Sequence, residues 1–133
     1  FLTLHPTVYA DLLREKIEKH NCNTYLVNTG WTGGPYGEGE RISIKDTRKC
    51  VDAILNGDIK NVELRKDSLF NFMVPMGLPG VDTDILFPRQ TWKDKERYDY
   101  KSVELAKMFR HNFKQYEKPR MTNYSLFGPN GMR

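Results

Sequence analysis

Apolar positions recur at helical spacing from the start of the chain. Tyr9, Leu12, Leu13 and Ile17 follow Pro6, a residue suited to the first turn of a helix, and Asn21-Cys22-Asn23 ends the run. Thr24-Tyr25-Leu26-Val27-Asn28 is a short apolar stretch between turn-formers and predicts a buried strand. A glycine-rich loop follows, and then Ile42 and Ile44 alternate with Ser43 and Lys45 as in a brief extended segment. Asp46 suits an N-cap, Thr47, Val51, Ile54 and Leu55 form an apolar stripe, and Asn56-Gly57 supplies a stop.

The second half is less regular. Val62–Leu64 and Phe70–Val74 read as strands separated by polar Arg65-Lys66-Asp67-Ser68. Leu78-Pro79-Gly80-Val81-Asp82 reads as a type II turn, with Pro presetting one central residue and Gly accepting positive φ at the next. Asp84–Trp92 reads as a loop with buried aromatics. A long helix is expected from about Asp99, with Leu105, Ala106, Phe109, Phe113 and Tyr116 on one face. From Lys118 onward, Pro119, Gly128, Pro129 and Gly131 predict an irregular tail. The pattern is that of a mixed α/β piece.

Composition narrows the class. The 133 residues suffice for one core, and 29% are charged against 38% hydrophobic. No run is long enough to span a membrane, and no signal peptide is visible. An apolar first residue without an initiator Met points to a segment of something longer. The net charge of +4 is mild and its cations alternate with acids, as in Lys93-Asp94-Lys95-Glu96-Arg97. That is the pattern of a solvated face rather than a nucleic-acid patch. Two cysteines, Cys22 and Cys50, make no disulfide framework and no CxxC, which fits a reducing cytoplasmic setting.

The stretch NTGWTGGPYGEGERISIKDT from Asn28 to Thr47 is the most specific chemistry-bearing feature. Its glycines let backbone approach a ligand, and Gly34 and Gly39 have Walker A spacing. Glu40 and Arg41 stand where that motif needs Lys and Ser/Thr, so it fails as a phosphate loop. Taken alone, the loop is an ordinary surface connection, Arg41 a solvated charge, Thr47 a helix-start residue and Ile42 a core position. His5, His20 and His111 lack metal-ligand spacing, and Asp82 and Asp84 read as turn and capping residues. Cys50 reads as a small buried hydrophobe, and Trp31 and Trp92 as packing at loop bases.

YLVNTGWTGGPYGEGERISIKDTR resembles the ATP-dependent class of phosphoenolpyruvate carboxykinase. Phe1-Leu2-Thr3-Leu4-His5-Pro6 is similar to the stretch after that family's mobile lid. Ala53–Gly57, Leu78–Asp82, Leu105–Phe109 with Asn112-Phe113, and Phe127-Gly128-Pro129 extend the likeness over nearly the whole chain. The resemblance implies the C-terminal part of a mononucleotide-binding domain, a mixed sheet with flanking helices, over residues 1–117, and an irregular tail over 118–133. It implies the gluconeogenic conversion of oxaloacetate and ATP into phosphoenolpyruvate, CO2 and ADP, with Mg2+ and Mn2+ in the full enzyme. The phosphate loop, metal ligands and catalytic groups of the family precede this segment, so no catalytic or metal residue is expected in it.

What the resemblance assigns here is the adenine side of the ATP site: Arg41, Ile42 and Thr47. A guanidinium can lie on a purine face, isoleucine offers apolar contact, and Thr47 offers a hydroxyl and a backbone N–H to the base edge. Glu40 departs from the basic or uncharged residue of many relatives, and it can pair with Arg41 or Lys45 or point outward. The partners implied are the remainder of the enzyme chain, ATP and oxaloacetate, with no nucleic acid and no membrane, and a homo-oligomer remains open. The segment alone is expected to be inactive. The rival reading is a non-enzymatic module binding nucleotide or RNA, marked by steep salt dependence.

Overall fold

The computed structural model describes residues 3–130, so the readings placed on Phe1, Leu2 and Gly131 lie outside the described residues. Among the described residues, five α-helices and two separate antiparallel ribbons make an α/β arrangement with helices flanking the strands. Helix α1 spans Pro6–His20. His5 caps it with its ring accepting from the Thr7 N–H, Pro6 fills the first turn, and Asn21 closes it in the left-handed region at φ 49°. Strands β1 (Trp31–Thr32) and β2 (Glu40–Arg41) pair with Trp31 opposite Arg41 and Thr32 opposite Glu40.

Helix α2 spans Ile44–Leu55 and starts earlier than the alternation of Ile42 and Ile44 predicts. The N-cap is Ser43, not Asp46. The Ser43 hydroxyl accepts from the Asp46 N–H at 3.0 Å and donates to the Asp46 carboxylate at 2.7 Å, which fixes the cap at the helix start. Ile44 is 72% exposed, so its apparent alternation reflects no buried face.

Strands β3 (Leu64–Lys66) and β4 (Met73–Pro75) form the second ribbon, with Arg65 opposite Val74. Both are shifted toward the C-terminus from the predicted runs, and Arg65-Lys66 belongs to a strand rather than a separator. The Asp67 carboxylate sets the turn between them by accepting from the Leu69 and Phe70 N–H groups. The Pro79-Gly80 turn is present, with Gly80 at φ 69° and the Val81 N–H donating to the Leu78 carbonyl. Lys49 of α2 donates to the Gly80 carbonyl and so ties that helix to the turn.

Asp82 caps a single-turn helix, α3 (Thr83–Leu86), and Pro88 opens another, α4 (Pro88–Thr91), where the sequence suggested a loop. Helix α5 runs Lys95–Phe113 under an Asp94 cap, starting before Asp99. The tail contains one short 3-10 turn at Ser125–Phe127. It lies on α1, where Tyr124 donates to Asp11 at 2.6 Å and the buried Thr7 hydroxyl meets the Met121 sulfur at 3.1 Å.

The buried apolar core is small among the described residues: Ala53, Ile59, Val81 and Ala106. The predicted strand at Thr24–Asn28 is not one here. Residues 22–29 form neither helix nor strand, and Leu26 is 79% exposed. A run so apolar needs strands on its flanks to bury its side chains and pair its backbone, and none lies beside it among the described residues.

Candidate nucleotide-contact site

The hairpin β1–β2 hands the chain directly to α2. Arg41 ends β2, Ile42 donates its N–H to the Gly30 carbonyl at 2.9 Å, Ser43 caps, and Thr47 lies in the first turns of the helix. The three sequence-predicted residues therefore sit on one continuous strand-to-helix corner. Arg41 is exposed, and Ile42 and Thr47 are half-buried. Arg41 has no side-chain hydrogen bond or ion pair among the described residues, and neither does Glu40, which pairs with neither Arg41 nor Lys45.

Thr47 differs from its expectation. Its backbone N–H donates to the Ser43 carbonyl at 3.0 Å, and its hydroxyl donates to the same oxygen at 3.0 Å. Neither proton is left for a base edge. What remains is the hydroxyl oxygen as an acceptor.

The loop between the strands is tightly wound. The Glu38 and Gly39 N–H groups both donate to the Pro35 carbonyl, at 3.0 and 2.9 Å. A Cβ at Gly39 would meet the Thr32 carbonyl oxygen at 2.4 Å and the Gly34 oxygen at 2.5 Å, so only glycine fits there. Trp31 packs edge-on against Tyr36 with centroids 5.2 Å apart, which bears out a packing role at the loop base. Trp92 packs likewise on Tyr98.

Two contacts that local sequence reasoning missed hold this loop from outside. The Glu38 carboxylate takes two hydrogen bonds from the Arg97 guanidinium, at 2.5 and 2.8 Å. That bond from Arg97 is the main cause holding the Glu38 carboxyl below the usual carboxylate range. Thr91 of α4 meets Thr32 and the Gly33 N–H at 2.8 and 2.9 Å. Both partners lie 58 or 59 residues along the chain, where local patterning carries no signal.

The remaining candidates take structural roles. His5 and Asp82 are caps, and Cys50 is half-buried, its thiol pushed up by burial and then by Asp46. The described residues contain no group of three His, Cys, Asp or Glu able to hold a metal ion. Two cavities among the described residues, of about 240 and 320 Å³, lie by Phe113–Tyr124 and along Val8–Glu18, away from the strand-to-helix corner. No helix of the described residues is long and apolar enough to cross a membrane.

The family model described as phosphoenolpyruvate carboxykinase matches residues 1–84. Among curated proteins, a phosphoenolpyruvate carboxykinase (ATP) of Campylobacter lari is 55% identical over 130 residues, 97% of this chain and 25% of its own length. Its counterpart in Sulfurimonas denitrificans is 53% identical over the same shares. That of Thermus thermophilus is 52% identical over 116 residues, 87% of this chain and 22% of its own. The chain thus spans about a quarter of the length of the curated relatives it matches.

Proposed function

The chain belongs to the ATP-dependent phosphoenolpyruvate carboxykinase family, and from that premise we propose that it forms the base-holding wall of the ATP site in a longer enzyme. That enzyme converts oxaloacetate and ATP into phosphoenolpyruvate, CO2 and ADP. The observation that carries the reading is the continuous corner on which Arg41 stands exposed, without an acceptor among the described residues, while Thr47 follows in the adjoining helix.

Each residue has one task in this reading. Arg41 lays its guanidinium on the purine face and directs outer N–H groups to ribose or phosphate oxygens. Ile42 gives the base an apolar contact. The Thr47 hydroxyl, its proton committed to Ser43, accepts from the amino group of adenine. A guanine, with a carbonyl at the equivalent position, would set two acceptors against each other. Orientation of this kind lowers the barrier to phosphoryl transfer without any of these residues touching phosphorus. The groups that decarboxylate oxaloacetate and transfer phosphoryl lie in the rest of the longer chain, so this segment alone turns nothing over.

Steady-state kinetics of the complete enzyme test the assignment. Arg41→Ala is expected to raise KM for ATP and leave KM for oxaloacetate unchanged. Equal losses for the two substrates would refute a nucleotide role.

A further inference from the structure

A ribbon of two residues per strand does not hold its own position. The β1–β2 hairpin is instead fixed from outside at its base and near its tip. At the base, Thr91 donates its only hydroxyl proton to the Pro88 carbonyl at 2.8 Å, and so must accept from Thr32 and from the Gly33 N–H. Toward the tip, Arg97 grips Glu38 with both arms of its planar fork. Helix α4, which carries Thr91, is itself locked to α5, which carries Arg97. Arg89 binds Asp99 through two hydrogen bonds at 2.8 and 2.9 Å, and Lys95 donates to the carbonyls of Gln90 and Trp92.

The result is a closed ring of polar contacts: hairpin to α4, α4 to α5, α5 back to hairpin. Thr32, one point of attachment, is the cross-strand partner of Glu40, the residue before Arg41. Any tilt of the hairpin against α4 and α5 therefore moves Arg41.

We propose that Arg97 and Thr91 are positioning residues for the nucleotide, holding the hairpin through Glu38 and through Thr32 and Gly33 at the angle that presents Arg41. This rests on reading Arg41 as an ATP contact. Neither residue touches the nucleotide. Glu38 and Arg97 are 53% and 44% exposed in their side chains, so the pair adds little to overall stability and acts through geometry.

The test uses the complete enzyme. Arg97→Ala is expected to raise KM for ATP about fivefold, the scale of one exposed ion pair governing a competent fraction. The turnover number and KM for oxaloacetate stay as they were. Exchanging the charges, Glu38→Arg with Arg97→Glu, restores KM for ATP. In an Arg41→Ala background, Arg97→Ala adds no further loss, because the lever has nothing left to move. If Arg41→Ala raises KM for ATP and Arg97→Ala does not, the positioning role is refuted while the nucleotide reading stands. A loss from Arg97→Ala that persists undiminished beside Arg41→Ala also refutes it, by showing an effect through something else. If Arg41→Ala leaves KM for ATP unchanged, the nucleotide reading falls and this role falls with it.

Discussion

Gly39→Ala is the smallest change that should disable the corner. The added methyl would lie 2.4 Å from the Thr32 carbonyl oxygen, 2.5 Å from the Gly34 oxygen and 2.7 Å from the Gly34 nitrogen. All three are backbone atoms of the hairpin itself, so no rotamer change relieves them. Overfilling a packed site costs about 1–3 kcal/mol, and three simultaneous backbone contacts put this case at about 3 kcal/mol. Gly37→Ala is the control. Its φ of 88° disfavours a side chain, yet nothing lies within 4 Å of the added methyl, so its cost is backbone strain alone, about 1 kcal/mol. The difference of about 2 kcal/mol corresponds to roughly a 30-fold difference in the fraction of native hairpin. Amide hydrogen exchange in the complete enzyme would read it at Ile42, whose N–H donates to Gly30 just beyond the ladder. Gly39→Ala should speed that exchange and raise KM for ATP, with Gly37→Ala falling between it and the parent. Equal exchange in the two variants, or a larger effect at Gly37, would refute the steric reasoning.

Two further outcomes are expected. Thr47→Val removes the acceptor of the hydroxyl while keeping its shape, so it should narrow the preference for ATP over GTP. Measured kcat/KM for both nucleotides checks this, and an unchanged ratio counts against the base contact. The Glu38 carboxyl is held below its usual range by Arg97, so its contribution is complete above the ordinary glutamate value and is lost as pH falls through the depressed native one. Nucleotide binding followed by titration below that ordinary value should weaken on acidification in the parent, and Glu38→Gln should lack this component. Identical acid profiles would contradict the link.

How far the sequence revealed this depends on the range of each interaction. The start of α1 at Pro6 and its end at Asn21 were legible because a proline in the first turn and a left-handed asparagine act locally. The Pro79-Gly80 turn and the Asp82 cap were legible for the same reason. The start of α2 was misplaced because Ile42 and Ile44 imitate a strand, although Ser43 and Asp46 hold the signal of a helix cap three residues apart. Asp94 likewise signals the start of α5, but it stands within a charge run that reads as solvated surface. The run Tyr25-Leu26-Val27 reads as a strand because its side chains call for burial, and that demand is not met by anything among the described residues. At the candidate site, Arg41, Ile42 and Thr47 came from resemblance to a family. The free acceptor of Thr47, and the contacts of Thr91 and Arg97, arise only from the folded arrangement.

The ring that holds the hairpin also bears on the order in which the chain is made. Arg97 leaves the ribosome 59 residues after Glu38. At about 5–20 residues per second that is an interval of roughly 3–12 s. Through that interval the loop exists without its outer grip, and α4 itself emerges only near the end of it, a few residues before α5. Arg41 is therefore synthesised well before anything can aim it. The corner gains its outer grip only when α5 arrives, which makes the setting of this hairpin a late event of translation.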